Sequence, residues 1–322
     1  IILSLFLLAI SNSASSEIST QRLAKIDQLV DGYVERSQLP GAVYTVQHHD
    51  QTVGPQAIGA YQQDSLFRIY SMTKPITVVA ALALYEDGEF LLSDPISRYL
   101  PEFSDPQVLE IDAKGEQSLR PANGPITIEQ LLTHTSGLSY SDSVPGVPTL
   151  YGESDIWQAT SLADFSQRLS QLPLAFEPGE RWHYSVANDL LGRLIEVVAD
   201  QPFDEFLQQR VLDPLGMNDT GFYVPSEKLG RLPPMYRWNG QQMMISKVSE
   251  KDSYLNPEVV PYGGSGLVST AKDYLQFCRM LLNGGELEGT RILGRKTVEL
   301  MLMDHLPERF AEPKLNEFWI SQ

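Results

Sequence analysis

The segment that most constrains the fold is residues 76–85, I-T-V-V-A-A-L-A-L-Y, which is apolar nearly all round. A helix without a polar face has no side to turn to water, so it has to be enclosed by other elements. Asp87-Gly88 closes it, and Pro75 stands just ahead of it. Proline has no N–H and fits only near a helix start. Ser71 and Lys74, in the run Phe67-Arg68-Ile69-Tyr70-Ser71-Met72-Thr73-Lys74-Pro75, therefore sit at the mouth of a buried helix.

Around this helix the pattern alternates between strand and helix signals. Leu23, Ile26, Leu29, Val30 and Val34 have helical spacing over residues 20–37, and Pro40-Gly41 ends that run. Residues 42–47 and 56–61 read as two strands joined through 48–54, with His48 and His49 in the connection. Thr127 is placed to cap a short helix over 127–133, ahead of Glu129 and Gln130. Residues 139–180 are rich in Ser, Pro, Gly and Asp and read as loop with one helix near 161–171. Helical spacing returns at 188–200, 202–211 and 271–283, with short strands and loops over 221–260. The resulting expectation is an α/β chain of the α+β type: an antiparallel sheet flanked by helices, with a mostly helical lobe at about 90–220 and the active site between the two lobes.

Charge and cysteine usage exclude several functions. The net charge is −17, which argues against nucleic acid because phosphate binding needs a basic face. It also disfavours electrostatic attachment to anionic lipid. One cysteine, Cys278, allows no intramolecular disulfide, and it reads as a core residue. The five histidines include no i, i+4 pair of the helical zinc type, so neither a metal nor a cofactor is expected. Residues 1–10 are apolar apart from one serine, and small and polar residues follow to Ser16. That stretch is too short to span a bilayer. It reads as the core of a signal peptide over 1–15, with a buried N-terminal helix as the alternative. The expected protein is secreted or periplasmic, with a hydrolase domain over 16–322 and no stable membrane anchor.

The chemistry rests on two segments. Ser71 and Lys74 are three residues apart, so on a helix they share a face about 5–6 Å apart at Cβ. A serine hydroxyl is a poor nucleophile until a neighbour takes its proton. An amine can do so when burial favours its neutral form. The helix N-terminus also offers backbone N–H groups to a developing oxyanion. The second segment is Pro178-Gly179-Glu180-Arg181-Trp182-His183-Tyr184-Ser185-Val186, a turn followed by a tyrosine just before the next helix. Tyr184 reads either as a proton acceptor or relay beside Lys74, or as a core tyrosine near a helix cap.

Together these segments resemble the serine β-lactamase and penicillin-binding superfamily, with class C β-lactamases, D-alanyl-D-alanine carboxypeptidases and family VIII carboxylesterases as the nearest groups. Ser71-Met72-Thr73-Lys74 matches the S-x-x-K motif, and Tyr184-Ser185 matches the tyrosine motif. Pro40-Gly41, residues 131–138 (L-L-T-H-T-S-G-L), 214–217 (P-L-G-M), 263–267 (G-G-S-G-L) and 282–285 (L-N-G-G) follow in the family's order. The resemblance implies Ser71 as nucleophile, Lys74 and Tyr184 as its activating groups, and no cofactor. It also makes His134 a structural loop residue rather than a catalytic base.

Two departures from the family pattern bear on substrate. The β-lactamase form of the tyrosine motif is Y-x-N, whereas Val186 stands third here. A branched apolar side chain cannot hold an amide, which points to esters. The third motif, K-T-G, H-T-G or W-G-G on a late strand, is not found after Gly266; Lys296-Thr297-Val298 lacks its glycine and lies in a helical run. The expectation is therefore a chain cut at both ends, poorly active for want of one oxyanion donor. The leading function is cleavage of carboxylic esters through an acyl-enzyme. A β-lactamase or D-alanyl-D-alanine carboxypeptidase and a non-turnover penicillin-binding or sensor protein remain alternatives. The partner is a small-molecule ester, β-lactam or peptide substrate.

Overall fold

The computed structural model describes residues 17–140, 147–246 and 253–307. The segment read as a signal peptide lies outside the described residues. In chain order the elements are α1 (Thr20–Glu35), β1 (Gly41–His48), β2 (Gln51–Gly59), β3 (Phe67–Arg68), α2 (Thr73–Glu86), β4 (Gln107–Ile111), β5 (Gln117–Pro121), α3 (Ile128–Leu132), α4 (Val147–Glu153), α5 (Leu162–Leu169), α6 (Ala187–Ala199) and α7 (Phe203–Leu207). β6 (Tyr236–Trp238), β7 (Met243–Ile245), β8 (Val268–Ser269), α8 (Ala271–Leu282), β9 (Glu286–Leu287), β10 (Thr290–Arg291) and α9 (Arg295–Met301) follow. The described strands pair antiparallel, two by two: β1 with β2, β3 with β8, β4 with β5, β6 with β7 and β9 with β10.

The described residues form two compact units. One contains those up to Asp64 together with Met235–Ser246, and the other contains Ser65–Pro234 with those from 253 onward. In the first unit Tyr44 Oη donates to Asp27 Oδ1 at 2.8 Å, fastening β1 to α1. β2 begins at Gln51, five residues before the expected start at 56. Gly54-Pro55 resembles a chain break in sequence, but the ladder absorbs it as an irregularity between Tyr44 and Val46. His49, at φ 51°, makes the hairpin turn.

The second unit is built around α2. Ile76, Val79, Ala80, Ala81 and Ala83 are each fully enclosed. Leu190, Leu191, Leu194 and Ile195 of α6 and Phe165 and Leu169 of α5 belong to the same core. The expected loop over 139–180 also contains α4, which local propensity does not announce. Tyr151 holds it from outside: its ring is buried and its hydroxyl donates to the Pro173 carbonyl at 3.2 Å. Cys278 is half-buried rather than a full core residue, and burial pushes its thiol up from the ordinary value.

α3 carries the expected cap. The Gln130 N–H donates to Thr127 Oγ1 at 3.3 Å, and the Thr127 N–H donates to Gln130 Oε1 at 2.9 Å. This reciprocal pair satisfies two otherwise orphaned donors. Thr127→Ala is expected to cost about 1 kcal/mol of unfolding free energy, the scale of a lost N-cap, measured by urea titration. No change in midpoint would show that the cap contributes nothing.

Candidate active site

The segment carrying Ser71 and Lys74 is laced to residues 263–269 along its whole length. β3 pairs with β8, the Ile69 N–H donates to the Leu267 carbonyl at 3.0 Å, and the Leu267 N–H donates to Thr73 Oγ1 at 3.2 Å. Further along, Thr77 Oγ1 donates to the Gly263 carbonyl at 2.8 Å. Tyr70 adopts φ 42°, a left-handed conformation that costs a residue with a side chain of order 1–3 kcal/mol. It lies directly before Ser71, which sits in the single tight turn (Tyr70–Met72) leading into α2.

Ser71 Oγ is exposed and has two partners. Tyr184 Oη donates to it at 2.6 Å, and Lys74 Nζ donates to it at 3.3 Å. Lys74 is 7% exposed; its ammonium also donates to the Gly264 carbonyl at 2.8 Å and stands 4.5 Å from the centre of the Tyr184 ring. The structure thus brings together all three residues selected from the sequence, with Lys74 and Tyr184 each within hydrogen-bonding reach of Ser71 Oγ and all three within one compact unit.

Tyr184 reaches this position because the loop after α3 holds its neighbours. The His183 N–H donates to the His134 carbonyl at 2.9 Å, and the Ser185 N–H donates to His134 Nδ1 at 3.3 Å. The Asn188 amide lies 3.3 Å from His134 Nε2. Burial, with the nearby Lys74 charge, pulls His134 down to about 3, so the ring is neutral at ordinary pH. Its ring centre is 4.9 Å from that of Tyr184. His134 therefore braces the tyrosine, and its described hydrogen bonds go to Ser185 and Asn188 rather than to Ser71. His183 is likewise pulled down to about 4, by burial first and Arg181 second.

Two further groups stand at this centre to which sequence reasoning gave no role. Tyr140 stacks on Tyr184 with ring centres 5.5 Å apart. Asp189, fully buried, accepts the Gly264 N–H at 2.8 Å and faces Tyr140 Oη at 3.5 Å. Burial raises Asp189 to about 6 despite the opposing effect of Lys74. The available signal for Asp189 was a carboxylate in the first turn of an otherwise apolar helical face. Tyr140 stood inside the loop-like stretch 139–180 and gave none. Val186, the departure from the β-lactamase pattern, is completely buried in the core and presents no polar atom to a ligand.

A cavity of about 530 Å³ opens elsewhere in the same unit, bordered by Asp204, Gln208, Phe222, Val224 and Lys228. None of Ser71, Lys74 or Tyr184 lines it. Among the described residues no three His, Cys, Asp or Glu side chains gather as a metal ion would require.

Comparison with known proteins agrees with this arrangement. The family model described as Beta-lactamase matches residues 26–315. Protein Rv1367c of Mycobacterium tuberculosis is 40% identical over 285 residues, covering 84% of this chain and 69% of that protein. Esterase EstB of Burkholderia gladioli is 32% identical over 285 residues, covering 79% of this chain and 68% of EstB. Among solved structures, unliganded Simvastatin Synthase (LovD) from Aspergillus terreus superposes with a TM-score of 0.79 at 26% identity, covering 93% of this chain and 76% of LovD. The strapped Ser71–Lys74 segment, the braced Tyr184 and the extent of these matches place the chain in the Beta-lactamase family.

Proposed function

We propose that this protein is a serine carboxylesterase that works through an acyl-enzyme on Ser71. The observation that carries the reading is the convergence of Lys74 Nζ and Tyr184 Oη on Ser71 Oγ at 3.3 and 2.6 Å. In the first half-reaction the Lys74–Tyr184 pair, carrying one proton fewer than an ammonium plus a phenol, takes the proton of Ser71 Oγ as that oxygen attacks the ester carbonyl. The bond from carbonyl carbon to alkoxy oxygen breaks, and the same pair returns the proton to the departing alcohol. In the second half, water attacks the acyl-serine and gives its proton to the pair. The carboxylic acid leaves and the Ser71 hydroxyl is restored. Proton transfer of this kind contributes roughly 10²–10⁴ in rate.

Esters are favoured over amides and β-lactams because Val186 replaces the side chain that would hold an amide, and Asn188, two residues on, lies against His134. Leaving one such bond unmade costs on the order of 1–3 kcal/mol. The esterase relative EstB supports the same choice. The protein is expected to turn over p-nitrophenyl butyrate at least tenfold faster than nitrocefin; comparable rates would make it a β-lactamase instead. Mass spectrometry after treatment with a fluorophosphonate tests the nucleophile, and an adduct outside the peptide containing Ser71 would overturn the assignment. On the apolar residues 1–10 we read the protein as exported, which fractionation of cells expressing the full chain checks.

A further inference from the structure

We infer that Asp189 is a positioning residue that seats Lys74 Nζ at Ser71 by holding the backbone of Gly264. The inference rests on the esterase reading above.

The Gly264 residue is gripped at both ends. Its N–H donates to Asp189 Oδ1 at 2.8 Å, and its carbonyl accepts from Lys74 Nζ at 2.8 Å. Among the described residues Lys74 and Asp189 make no direct ion pair; the backbone stands between them and carries the order from one to the other. The fit leaves no slack. A Cβ on Gly264 would lie 2.5 Å from Asp189 Oδ2, and one on Gly263 would lie 2.5 Å from the Asn188 carbonyl. Only glycine allows the chain to pass this close to the start of α6. Lys74 is thus held between Ser71 on one side and, on the other, the carbonyl of a residue whose N–H is fixed by Asp189.

A wholly buried carboxylate is costly unless it is paired and hydrogen-bonded. The titratable groups facing Asp189 are Lys74 from α2, Tyr140 from the preceding loop and Tyr262 from the 263–269 side. Its carboxyl is raised from 3.8 to about 6, so the folded protein resists its ionisation. The sign follows. Its contribution to stability is complete below about 3.8 and is lost as pH rises through about 6. At pH 7.5 the charge is retained at the expense of the fold, as expected of a group kept for the site rather than for packing.

Asp189→Asn keeps the shape and an acceptor for the Gly264 N–H but removes the charge that strengthens the bond. The test compares Ser71 labelling by a fluorophosphonate, kcat, KM and thermal melting in the wild type, Asp189→Asn and Asp189→Ala. We expect Asp189→Asn to lower the labelling rate and kcat about tenfold and to leave KM unchanged. The wild type is expected to show a rate inflection near pH 6, which Asp189→Asn should lack, and the melting temperature of Asp189→Asn at pH 7.5 should rise. Asp189→Ala, if it folds, should lose about a hundredfold. Wild-type rate and pH profile in Asp189→Asn would overturn the inference, as would a rate that falls only in step with the folded fraction. Failure of the wild type itself to label at Ser71 would instead overturn the esterase reading.

Discussion

Ser71→Ala is expected to lower ester turnover by roughly 10⁴–10⁶, since loss of the nucleophile removes the covalent route altogether. Lys74→Ala and Tyr184→Phe should each cost about 10²–10⁴, the range of a lost proton transfer. Because Lys74 and Tyr184 both converge on one oxygen, they act as a unit. The double variant should therefore be little slower than the worse single one, as groups serving one proton are not additive. Single-turnover assays with p-nitrophenyl butyrate, with circular dichroism to confirm folding, decide the matter. Turnover within tenfold of wild type in any single variant removes that residue from the chemistry.

Phe203→Ala is expected to destabilise the protein by about 3–5 kcal/mol, a large share of the 5–15 kcal/mol typical of a folded chain. Phe203 is wholly buried and its ring lies 5.6 Å from that of Phe222. It also fills the notch left by Gly192 on α6, where a Cβ would lie 3.2 Å from the ring. Leu162 borders the same notch at 3.4 Å, but truncating the ring still leaves a void that close-packed neighbours fill only in part. Because α6 begins three residues after Tyr184, loosening it should also slow turnover near the melting transition. Urea unfolding at 25 °C measures the change; a loss under 1 kcal/mol would show that α6 and α7 repack.

The elements that were legible are those in which a local signal and the tertiary fold agree. Thr127 caps α3 as its position demands, and α6 and α8 fall within one residue of their apolar spacing. The buried character of α2 followed from its having no polar face. Where a local signal opposed the outcome, reading failed. Gly54-Pro55 marks a break in most chains but lies inside β2. Val147–Glu153 contains Pro148 and Gly152, poor helix formers, and takes helical form with Tyr151 anchored to the Pro173 carbonyl.

The sequence by itself picked out Ser71, Lys74 and Tyr184 as candidates, because S-x-x-K at the mouth of an apolar helix and a tyrosine before another are short-range patterns. The proposed preference for esters likewise starts from the sequence, at the apolar Val186. Only the tertiary structure decided why those groups hold their places. The brace from His134 to Tyr184 spans fifty residues, and the clamp from Asp189 through Gly264 to Lys74 joins three separate segments. Contacts of that kind leave no periodicity in the chain. They arise when enclosing α2 forces a loop, a helix start and a glycine pair against the same buried face, where each polar atom must find a partner or remain unsatisfied.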